Sequence, residues 1–112
     1  MMQSVERIEY RRGMLEKGAA PGELPVAVWR GDEIPQRVLN AIHKEGLFDL
    51  GGIYGDKHLG DPVQYDHLKL ILRDGAVEIT FYNRAIALFT ADDEKLRRIH
   101  RVMHILGEES ER

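Results

Sequence analysis

Between Gln64 and Leu106 the chain reads QYDHLKLILRDGAVEITFYNRAIALFTADDEKLRRIHRVMHIL, and here turn chemistry, alternation and helix periodicity agree. Asp74-Gly75 is a two-residue turn signal between two runs that alternate in polarity. A type I′ turn at that pair sets Leu72 opposite Val77, Leu70 opposite Ile79 and Leu68 opposite Phe81, all on one face. The other face then carries Ile71 with Glu78, Lys69 with Thr80 and His67 with Tyr82. After Phe81 the apolar phase slips by one residue, so a break at Asn83-Arg84 and a third strand through Ile86 and Leu88 are expected. Ala85, Ala87 and Phe89 would share the outer face with Ile71 and Tyr82, which is more apolar than a solvated face requires.

Downstream, Thr90 and Asp93 suit a capping box, with Asp92 and Glu94 well placed for the helix dipole. Leu96, Ile99, Val102, Met103 and Leu106 form an apolar stripe, and Gly107 reads as the stop before an acidic, flexible tail over 107–112. Upstream, Asp32 is the expected cap of a helix over about 33–45, with Ile34, Val38, Ala41 and Ile42 on one face and Gly46 as a left-handed exit. A strand is expected over Val5 to Arg12, and a second, short one in Leu24 to Trp29 beside Pro25. These elements predict a single α+β domain over 1–112. Its antiparallel sheet ends in a three-strand meander (about 64–89), with an amphipathic helix over about 91–106 packed on it.

Composition bounds the chemistry. The 112 residues are 43% hydrophobic and 31% charged, as in an ordinary soluble protein, and there is no cysteine. Thiolate nucleophiles, disulfides and sulfur-ligated zinc are therefore excluded. The charged start, with Glu6, Arg7, Glu9, Arg11 and Arg12, is unlike a secretory signal, and no apolar window is long enough to span a bilayer, so a cytoplasmic location without membrane contact is expected. A net charge of -3 argues against broad non-specific binding to nucleic acid.

The residues that might carry chemistry compete with plainer roles. His100 and His104 have the i,i+4 spacing of shared metal ligands, but Arg101 stands where a zinc-protease motif has its glutamate, so two histidines on a helix flank is the plainer reading and no metal is expected. Asp56, His58, Asp61, Asp66 and His67 cluster in sequence without a spacing that makes them converge. Gly51-Gly52-Ile53-Tyr54-Gly55-Asp56-Lys57 lacks both the phosphate-loop and the dinucleotide patterns, so no cofactor is expected.

Three functional readings follow. The leading one is a small binding or regulatory module acting through protein contacts as a homodimer or with another protein, its contact residues being Phe48 and Tyr54 in the glycine-rich loop and Ile71, Ala87 and Phe89 on the outer sheet face. The second is a metal-independent phosphodiester enzyme, such as an RNase, using His67 and His58 as proton carriers with Tyr82 and Lys69 nearby. The third is nucleic-acid binding through Lys95, Arg97, Arg98 and Arg101, against which stand the i,i+4 acidic partners Asp93 and Glu94.

Overall fold

A computed structural model describes residues 4–16, 25–56, 58, 60, 62–85 and 93–112. It is a mixed α+β structure with a five-stranded sheet in the order β2-β1-β4-β5-β3, formed by β1 (Val5–Leu15), β2 (Ala27–Arg30), β3 (Gly52–Tyr54), β4 (Val63–Leu72) and β5 (Gly75–Tyr82). The two long helices are α1 (Gln36–Glu45) and α2 (Glu94–Ser110). No helix among the described residues is long and apolar enough to cross a membrane.

β1 and β4 form the long antiparallel centre, from Val5 opposite Leu72 to Leu15 opposite Val63, with an irregularity between Val5 and Arg7. Alternation sends Ile8, Tyr10, Leu68, Leu70, Ile79 and Phe81 to one face, where they are buried in one cluster with Val38, Ala41 and Ile42 of α1 and Leu96, Ile99, Val102, Met103 and Leu106 of α2. Complete burial of a side chain such as Ile99 or Leu106 is worth roughly 1.5–3 kcal/mol.

The hairpin differs from expectation by a two-residue slip. Leu72 pairs with Gly75, Leu70 with Val77, Leu68 with Ile79 and His67 with Thr80, so Arg73 and Asp74 make the turn. A type I′ turn at Asp74-Gly75 needs positive φ at both residues, and neither has it. Because side chains repeat every two residues, the slip leaves every residue on its expected face while changing its partner.

The sheet is also mixed rather than antiparallel throughout. β3 runs parallel to β5, with Gly52, Ile53 and Tyr54 beside Ile79, Thr80 and Phe81, and so takes the place beside β5 that the meander's third strand needs. Asn83 makes the expected break, with φ 49°, but Arg84 and Ala85 that follow are helical. Ile86 to Phe89, together with Thr90 and Asp92, lie outside the described residues.

α1 ends as expected with Gly46 in the left-handed conformation, but its start and both ends of α2 differ from those expected. Gly31–Glu33 forms a separate 3-10 turn, Ile34 is extended, and α1 starts after Pro35 without the Asp32 side chain as its cap. Asp93 caps α2, its side chain accepting from the Lys95 amide at 2.8 Å. α2 continues past Gly107 to Ser110, so most of the expected tail is its last turn. Gly107 is buried, and a Cβ there would stand 3.1 Å from the Arg12 guanidinium and 3.8 Å from the Tyr10 hydroxyl, so this glycine serves close approach of helix to strand. Arg37 of α1 holds the same turn through Glu108 at 2.9 Å and Glu109 at 3.5 Å.

Candidate functional site

The two faces of the sheet present two different groupings. On the face away from the helices, alternation and register build rows across the strands. Arg30, Arg7, Ile71 and Ala76 form one row, Val28, Glu9, Lys69 and Glu78 the next, and Arg11, His67, Thr80 and Ile53 the third. None of these side chains joins the main core cluster. Beyond them Leu15, Val63 and Tyr65 are buried in a smaller cluster with Tyr82 against it, and the Tyr65 ring lies over Gly13.

The charges in these rows form a network. Glu9 accepts from Arg7 at 2.9 Å and from Arg11 at 3.4 Å, Arg11 meets His67 Nδ1 at 3.3 Å, and His67 Nε2 is 3.5 Å from Glu78. A guanidinium only donates, so the bond to Arg11 requires a lone pair on His67 Nδ1 and puts the proton on Nε2, toward Glu78. The His67 side chain is only 15% exposed. Its pKa is lowered, first by this burial and then by Arg11, with Glu78 opposing.

On the helix side, a carboxylate is buried completely. Asp66 shares the inward phase of Leu68 and Leu70, and such a charge needs compensation. Its Oδ1 accepts the Tyr10 hydroxyl at 2.5 Å, while Oδ2 accepts from Gln64 at 2.7 Å and from Arg84 Nε at 2.9 Å. Arg84 also meets His100 Nδ1 at 3.0 Å. The cluster therefore joins β1, β4, the turn after β5 and α2. Burial, then the negative charge of Asp66, holds the Tyr10 pKa well above its usual value. Burial followed by Arg84 and His104 lowers that of His100.

The expected site residues fall on several surfaces. His67 pairs with Thr80 and Tyr82 with Tyr65, so His67 and Tyr82 are diagonal neighbours and not a cross-strand pair. Lys69 lies between Glu9 and Glu78. The His58 amide donates to Asp56 Oδ1 at 2.7 Å. Phe48 and Tyr54 pack against the chain's own core: the Phe48 ring lies 5.1 Å from that of His43, and the Tyr54 hydroxyl donates to the Leu50 carbonyl at 2.8 Å. Of the five expected contact residues, only Ile71 stands on the outer face among those described, since Ala87 and Phe89 lie outside the described residues.

The histidine and arginine groups of α2 are engaged within the chain. His100 and His104 stack at 6.2 Å, but the Arg84 guanidinium occupies the Nδ1 side of His100 and Glu108 lies 3.4 Å from His104 Nε2. Arg98 donates to the Glu45 and Gly46 carbonyls at 2.7 and 3.5 Å, Arg101 to Glu45 and Glu94 at 2.7 and 3.2 Å, and Arg97 to Glu94 at 3.0 Å. Lys95 is exposed on the same helix.

Sequence reasoning placed neither Tyr10 nor Gln64 in a site. The available signal was Asp66 on the apolar phase of β4, where a carboxylate demands donors from the facing elements. Comparison with protein-family models, with curated proteins and with solved structures finds no match.

Proposed function

We propose that this chain is a binding module that works by pairing the sheet face away from α1 and α2 with the same face of a second copy. The observation that carries this reading is the network at the centre of that face, which holds both signs of charge while α1 and α2 lie on the other side. A two-fold contact sets a surface against itself, so it needs cations and anions at exchangeable positions. Rotation about an axis along the β1/β4 boundary exchanges those strands, laying Glu9 of each copy over Lys69 of the other. Ile71 and Val28 would supply apolar contact around the charges.

Sedimentation velocity over a wide concentration range tests the proposal. A dimer is expected, with Lys69→Glu and Ile71→Asp each weakening it by at least about tenfold and Lys95→Glu on α2 leaving it unchanged. A monomer at every concentration, or a dimer indifferent to both face substitutions, would overturn it.

A further inference from the structure

We propose that His67 is the regulatory element of this pairing face, so that the dimer separates on mild acidification. The inference rests on the pairing proposed above, and it adds the group that controls it.

The geometry gives one histidine an unusual position. His67 stands in the centre of the face, in the third row between Arg11 of β1 and Thr80 of β5. Its Nδ1 lone pair accepts from Arg11 while Nε2 is directed at Glu78. In this form the neutral ring links a cation on one strand to an anion on another. Protonation puts a second N–H on the Arg11 side, so that the guanidinium loses this acceptor and faces a second cation.

The surroundings decide how that change is felt. The charged groups facing His67 among the described residues are Arg11 from β1, Lys69 from its own strand and Glu78 from β5, while β3 presents the apolar Ile53. Glu9, the other nearby acid, is already shared between Arg7 and Arg11. Among the described residues, a proton on His67 thus adds a cation beside Arg11 and Lys69, with Glu78 opposing. In the free monomer water can reach Glu78, which is 59% exposed, and solvate the new charge. Covering by a second copy removes that water, so the dimer binds the proton less readily than the monomer does. Two copies bring two such rings into one interface, and the linkage is counted twice.

The experiment compares wild type and His67→Gln by sedimentation equilibrium at about pH 8 and about pH 5.5, spanning the titration of histidine. Glutamine keeps a neutral acceptor and donor but does not titrate. The wild-type dissociation constant should rise by at least about tenfold at the lower pH, against a limit of about 100-fold per pH unit for two linked protons. That of His67→Gln should change by less than about threefold. Circular dichroism at both pH values checks that the fold is retained. A wild-type monomer at about pH 8 would remove the pairing itself and the control with it. A dimer at about pH 8 whose acid response is absent, or is the same in His67→Gln, would overturn the control while leaving the pairing in place.

Discussion

Tyr10 and Asp66 face each other in the core on adjacent strands, hydroxyl to carboxylate at 2.5 Å, although they stand 56 positions apart in the chain. Both groups are wholly buried, so neither can exchange this bond for water. Tyr10→Phe keeps the ring and removes the donor, leaving Asp66 with Gln64 and Arg84. A loss of about 1–3 kcal/mol is expected, read from the midpoint of a urea unfolding curve with unchanged slope. Asp66→Ala should cost more, about 3–5 kcal/mol, since it leaves the Tyr10 hydroxyl without its acceptor and Arg84 without its carboxylate.

Gly55 sets the place of the parallel strand. Its φ is 78°, and a Cβ added there would lie 1.9 Å from the Tyr82 carbonyl oxygen. Gly55→Ala combines left-handed strain with collision against backbone, which no rotamer relieves. A cost of at least about 2 kcal/mol is expected, with faster exchange of the amides of Gly52–Tyr54 than of those of β4. Equal loss of protection in both strands would show that β3 unfolds only with the whole sheet.

The difference between what was legible and what was not follows from how local each signal is. The spacing of Leu96, Ile99, Val102, Met103 and Leu106 marks a helix face because the pattern lies within one element. β1 is only partly legible, since Ile8 and Tyr10 alternate with charges while Val5, Ile8 and Leu15 also suit a helix face. The hairpin register is degenerate: Leu70 meets an apolar partner whether that is Ile79 or the observed Val77. Only the backbone conformation of Arg73 and Asp74 separates the two alignments. β3 has three residues and no alternation to read, and its parallel pairing depends on distant contacts. Gly107 carried a helix-stop signal whose meaning was set by Arg12, a residue on another element.

Arg98 closes the end of α1 from the neighbouring helix. It donates to the last carbonyls, at Glu45 and Gly46, and its guanidinium fills the space that a Cβ at position 46 would take, 2.6 Å away. Helix ends leave carbonyls without intrahelical partners, and a cation there also suits the dipole. Arg98→Gln should lower stability by about 1–2 kcal/mol. Lys95→Gln, exposed on the first turn of α2, should stay within about 0.5 kcal/mol. Thermal unfolding of the two variants side by side gives the comparison.

His100 makes the helix side of the molecule sensitive to acid. Burial and the adjacent Arg84 and His104 lower its pKa in the folded chain below the ordinary value of 6.5. Above that value both states are neutral at this position and its contribution is fully present. As the pH falls from about 6.5 through the folded value, the unfolded chain takes up a proton that the folded chain resists, and stability is lost. His67 has the same sign, so the two add. His100→Gln should therefore flatten part of the decline in urea midpoint between about pH 7 and about pH 5 without removing it, and adding His67→Gln should flatten it further. An unchanged slope in the double variant would assign the acid sensitivity to carboxylates, whose protonation begins lower in pH.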